Sequence, residues 1–175
     1  MSRGQGLGRI HVYVGVVGIL AIGVLAACVA TLDLNGVGRW RWAALLFLGL
    51  FVLAEFYPVR LLGRVDAGEF TTSATFAYAL LLILPLPVAL LAIALGTALG
   101  DHRPGQRKPL IRVVFNTSQI TLSFAAGGAI LALAGAGPDA AADVPPLVLF
   151  AILPSGLAMY VINVVLTSLA IAIDQ

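Results

Sequence analysis

Six side chains have the types and positions to do chemistry within a largely apolar chain: Glu55, Arg60, Glu69, Asn116, Gln119 and Asn163. Glu55 lies in an apolar run from Trp42 to Leu62. It sits about seven residues from the charged end of that run, so about 10 Å deep by helical rise. Asn116 and Gln119 lie at similar depth counted from Arg112. They are three apart, which puts both on one helix face, and Ser123 and Gly127 continue that stripe. Asn163 falls near the middle of the last apolar run, with Thr167 one turn beyond it. Polar groups at such depth are costly in lipid and often functional. A carboxyl at Glu55 needs a neutral state, a cation such as Arg60 or Arg112, or a ligand. The groups suit a pocket for a small polar or cationic ligand. They also suit hydrogen bonds between helices that fix packing, the favoured reading for Asn116, Gln119 and Asn163. The residues alone leave both readings open.

Other chemistries find no support. Ser73, Ser118, Ser123 and Ser155 have no histidine base at a usable spacing. Asp101-His102 has no metal-site companion, since His11 is distant, and a capping or loop role fits it better. Cys28 is the only cysteine and lies in an apolar run, so it reads as a small buried apolar residue. We therefore expect no catalytic residues, no metal and no cofactor in this segment. No basic helix with interleaved aromatics is present, so no nucleic-acid partner is expected.

The composition is 61% hydrophobic and 10% charged, with a net charge of +2. That is too apolar for a soluble domain of this size and fits a polytopic membrane protein, one integral membrane domain over 1–175. The central element is Thr72 to Asp101, apolar from Ala74 to Leu99 apart from two threonines and interrupted by Pro85-Leu86-Pro87. Two prolines two apart favour a break. The expectation is two short helices, Ser73–Leu84 and Val88–Gly100, joined by a tight turn. Each is about 20 Å long, short of a bilayer core of about 30 Å. Thr71, Thr72 or Ser73 can cap the first of them, and Phe70 to Ser73 suits a short extended lead-in. Ala92, Gly96 and Gly100 recur every four residues as a close-packing row, for internal packing or a dimer, with internal packing favoured.

Four longer spans surround this hairpin: His11–Leu32, Trp42–Leu62, Leu110–Ala134 and Leu147–Ile173, with Pro154 a kink in the last. The fold expected is all-α, a membrane bundle of about six helices that includes the proline-turn hairpin. Arg3 and Arg9, Arg60 and Arg64, and the run Arg103, Arg107, Lys108 and Arg112 place their segments in the cytoplasm by the positive-inside rule. Arg39 and Arg41 dissent. The result is a multi-pass protein of the cell membrane with both termini cytoplasmic. No basic stop follows the last span, which suggests the N-terminal part of a longer chain.

Ala54-Glu55-Phe-Tyr-Pro58-Val-Arg60, Gly68-Glu69-Phe-Thr-Thr-Ser73, Leu99-Gly100-Asp101 and Phe115-Asn116-Thr-Ser-Gln119 occur in one order. Over roughly residues 45–130 the chain resembles the N-terminal membrane-associated sensor (MASE-type) regions of bacterial cyclic-di-GMP signalling proteins. The resemblance implies a sensory input domain. It would pass its signal through the last helix to a cytoplasmic GGDEF, EAL or HD-GYP output domain, often as a homodimer. No output domain is present here, so any cyclase or phosphodiesterase chemistry would belong to other residues. With six expected helices, both termini inside, under two hundred residues and a short hairpin ending in Gly100-Asp101, the chain is also similar to the substrate-binding S components of energy-coupling-factor vitamin transporters. That similarity implies a solute-binding subunit whose Gly23 and Ala27 contact a transport partner.

Overall fold

The computed structural model describes residues 3–32, 37–57, 72–102, 108–136 and 146–174. They form six α-helices: α1 Arg3–Ala30, α2 Val37–Phe56, α3 Ser73–Ile83, α4 Leu86–Asp101, α5 Leu110–Leu133 and α6 Pro146–Asp174. The described chain is all-α. α1 and α2 begin well before His11 and Trp42, because a helix continues past its apolar stretch until something breaks it. Pro58 supplies such a break for α2. The residue before a proline is pushed out of the helical region, and α2 ends at Phe56, with the Tyr57 amide closing onto the Leu53 carbonyl at 2.9 Å.

The hairpin is broken at one proline, not two. Leu84 is extended (φ −109°, ψ 155°), as a residue preceding proline should be, and Pro85 occupies the cap of α4. Pro87 sits in the first turn of α4. There a missing N–H costs nothing, since that donor would have no partner within the helix. The second arm therefore starts at Leu86, ahead of the expected Val88. Thr72 holds the cap position of α3 without a side-chain bond to the helix. The expected cap is thus not made by Thr72, and Ser73 is the buried first residue of the helix. Phe70 and Thr71 lie outside the described residues.

α5 is the centre of the bundle, packed against α6, α1 and α4 and along a shorter stretch against α3. α2 lies against α3 and α4. The core between them holds Phe51, Leu80, Leu90, Ile93, Phe124 and Leu131. Glycine lets the central helices approach. A Cβ at Gly127 would fall 2.7 Å from the Met159 sulfur of α6, and one at Gly128 would meet Leu86.

Hydrogen bonds among the described residues tie α6 to its neighbours. The Tyr13 hydroxyl donates to the Leu166 carbonyl at 2.8 Å, that of Tyr78 to Ile152 at 2.9 Å and that of Ser155 to Gly127 at 2.9 Å. α6 runs through Pro154 as one helix. Most of its surface nonetheless faces outward, with Phe150, Leu153, Leu157 and Tyr160 exposed. Gly8–Ala30 of α1 and the whole of α6 are each long and apolar enough to cross a membrane; α3 and α4 are apolar and shorter.

Candidate functional site

Glu55, Asn116 and Asn163 come together. With Phe51, Ser73, Ala74, Lys108, Ile120 and Phe124 they line a cavity of about 310 Å³. Each helix delivers its group for a local reason. α2 stops at Phe56, so Glu55 lies in its last turn, shallower in its helix than the apolar run to Leu62 implied. Ser73 opens α3 and Asn116 is in the second turn of α5, so these ends meet on one side of the bundle. α6 runs past that level and contributes Asn163 from its interior. The walls are aromatic and aliphatic, with a few convergent polar groups, which is the usual make-up of a small-molecule site.

Asp101, for which the sequence suggests only a capping or loop role, is bonded to two of the lining residues. It is the last residue of α4 and is 2% exposed. Lys108 makes a salt bridge to its Oδ1, and the Asn116 side-chain amide donates to its Oδ2 at 2.9 Å. Lys108 is 41% exposed, so the pair has one buried and one half-exposed member. The Asp101 bond also orients Asn116. Its NH2 must face the carboxylate, which frees its carbonyl oxygen to accept from elsewhere. The imidazole Nδ1 of His102 lies 2.8 Å from the Ala98 carbonyl. Among the described residues no three His, Cys, Asp or Glu side chains cluster as metal ligands.

The row Ala92, Gly96 and Gly100 faces α2. Ala92 borders a small cleft with Ala44, Leu45 and Leu48 of α2. A Cβ at Gly96 would lie 2.8 Å from Cδ1 of Phe51, and one at Gly100 would lie 2.6 Å from Cβ of Glu55. The row therefore sets how close α2 comes, and it places Glu55 against Gly100 at the end of α4.

The expected stripe on α5 divides. Asn116, Ile120 and Phe124 face the cavity. Gln119 is buried but does not line it, and Ser123 donates to the Gln119 carbonyl at 2.8 Å. Residues three apart differ by about 60° around a helix of 3.6 residues per turn, enough to separate them where two interfaces meet. Arg112 does not line this cavity. It lines a separate groove between α1, α5 and α6. Arg60 and Glu69 lie outside the described residues. Lys108, which the sequence reading counted only for orientation, is the described cation at the cavity. A signal for the missed pair was present: an acid ending a long apolar run, and a base seven positions on. Compared with protein-family models, characterised proteins and solved structures, the chain matches none.

Proposed function

We propose that the chain is a membrane-embedded sensory module of six passes with both termini on the cytoplasmic side of a bacterial cell membrane. In this reading a small polar ligand enters the cavity at Glu55, Asn116 and Asn163. α6 carries the response to a cytoplasmic output domain of the cyclic-di-GMP type. The observation that carries the reading is the double role of α6, which supplies Asn163 to the cavity and then continues as one helix to Asp174. Asn163 and Asp174 are eleven residues apart, about 16 Å along a helix. A ligand that binds one position of α6 better than another shifts its population, and that differential affinity is all a signal requires. The outward, apolar surfaces of α1 and α6 support the membrane placement. The hairpin supports an even number of crossings between α2 and α5, because Ser73 and Asn116, the partner of Asp101, line one cavity.

The test joins the chain in frame after Gln175 to a diguanylate cyclase domain and measures cyclic-di-GMP in cells. Glu55→Gln and Asn163→Leu should each change the output by about fivefold or more, the lower end of ordinary coupling between sites. Ser168→Ala, on the exposed side of α6, should leave it unchanged. Outputs equal to the wild type for both cavity variants would remove the sensory reading.

The transporter-subunit reading draws on α1. Gly23 and Ala27 are exposed, and a Cβ at Gly23 would meet nothing within 4 Å. That reading needs a vitamin-sized ligand retained on purification, together with a co-purifying transport ATPase. It also places substrate at the opposite end of the bundle from the cavity.

A further inference from the structure

A second concavity lies where the start of α1, the start of α5 and the end of α6 meet, distinct from the cavity at Glu55. It is a groove of about 280 Å³. Val14, Phe115 and Ile171 form apolar walls, and His11, Arg112 and Asp174 are its polar members. Phe115 is held by the Tyr13 ring, 6.0 Å away between centroids, and the Tyr13 hydroxyl is bonded to α6. Arg112 and Asp174 are both exposed. Among the described residues no ion pair joins Arg112 to Asp174. The groove thus presents a cation and an anion within one lining, next to apolar walls, between the two helices best suited to face lipid.

We infer that this groove binds a phospholipid whose headgroup carries both a phosphate and a primary ammonium, a phosphatidylethanolamine. The Arg112 guanidinium donates to the phosphate oxygens, a geometry that suits arginine. The ammonium donates to the Asp174 carboxylate. The glycerol end and the first chain carbons lie along Val14, Phe115 and Ile171. An anionic headgroup such as phosphatidylglycerol would meet Asp174 as a like charge. A choline headgroup has no N–H to donate. A free zwitterion of the same charges would gain nothing from the apolar walls. The inference rests on the membrane placement proposed above and not on signalling. A lipid there touches α1, α5 and the last turn of α6, so its occupancy would bias where α6 leaves the bundle.

The test uses the purified full chain in non-ionic detergent. Phosphatidylethanolamine, phosphatidylcholine and phosphatidylglycerol with the same acyl chains are added separately, and retained lipid is counted by native mass spectrometry. Phosphatidylethanolamine should be retained about tenfold more tightly than either of the others. Arg112→Gln and Asp174→Asn should each remove that preference, while Arg41→Gln, at the start of α2, should keep it. Equal retention of the three lipids overturns the proposal, as does a preference that survives both variants. A preference for phosphatidylglycerol would make the groove an anionic-lipid site instead. Glycerophosphoethanolamine binding as tightly as the lipid would make it a free-solute site. The wild-type comparison needs no variant to fold. Equal retention of the three lipids by a wild-type chain still inserted in membranes removes this proposal alone, whereas recovery of a folded wild-type chain from the soluble fraction removes the membrane reading as well.

Discussion

Lys108→Ala is expected to destabilise the bundle by about 3 kcal/mol, because it leaves a carboxylate buried without its cation. Asp101 is 2% exposed, so water cannot take over the role of Lys108. The reverse change is milder. Asp101→Asn keeps an oxygen for Asn116, and Lys108, 41% exposed, can turn to solvent. Its cost should be about 1 kcal/mol, that of an ordinary hydrogen-bond change. The double variant should recover most of the loss seen with Lys108→Ala, since neither charge then remains, and a double-mutant cycle reads that coupling directly. Unfolding in detergent, followed by circular dichroism, supplies the four stabilities. If Lys108→Ala and Asp101→Asn cost the same and the two changes add, Asp101 is hydrated and is not the buried partner of Lys108 and Asn116.

The second large effect concerns the contact of α2 with α4. Gly96→Ala puts a methyl group against the Phe51 ring, 2.8 Å from Cδ1. Phe51 is 1% exposed and has nowhere to turn. Overpacking of this kind costs about 1–3 kcal/mol. The gain in helix propensity from glycine to alanine, about 1 kcal/mol, offsets part of it. Gly15→Ala and Gly49→Ala isolate that gain, since a Cβ at either position meets nothing within 4 Å. Both should stabilise or be neutral while Gly96→Ala destabilises. The same change should weaken any ligand binding at Glu55, because the contact that places Glu55 is the one being forced apart. A Gly96→Ala protein as stable as Gly49→Ala would show that α2 does not sit on this row.

The helices were legible where a strong local rule acted alone. Pro85 broke the hairpin, and the extended backbone of Leu84 is its direct consequence. The row Ala92, Gly96, Gly100 announced a close contact by its spacing. Pro87 was misread because its effect depends on its place in the helix. Two residues further from the first turn it would break the helix; within that turn it belongs. The convergence of Glu55, Asn116 and Asn163 followed from counting depth along each span, although the depth of Glu55 came out too large because α2 ends before Pro58. Gln119 and Arg112 show the limit of such counting. A linear pattern specifies a position around a helix, but which neighbour occupies that side depends on how the helices pack. α5 has neighbours on several sides, so adjacent polar residues were sent to different places. Asp101 was missed for the same reason. It is held by Lys108 and by Asn116 of α5, and no periodicity in α4 encodes such partners.

In the proposed topology the proline hairpin returns the chain, and the cavity and the end of α6 open to the same compartment. The direct measurement starts from a Cys28→Ser background and introduces Thr72→Cys, His102→Cys or Leu32→Cys, one at a time. Thr72, His102 and Leu32 are all exposed in the fold. Each protein is labelled in intact cells and in inverted membranes with a thiol reagent that does not cross the bilayer. Positions 72 and 102 should both react in inverted membranes and be protected in intact cells, with position 32 showing the opposite pattern. Positions 72 and 102 reacting from opposite sides would contradict the hairpin, the shared cytoplasmic cavity and the route to an output domain.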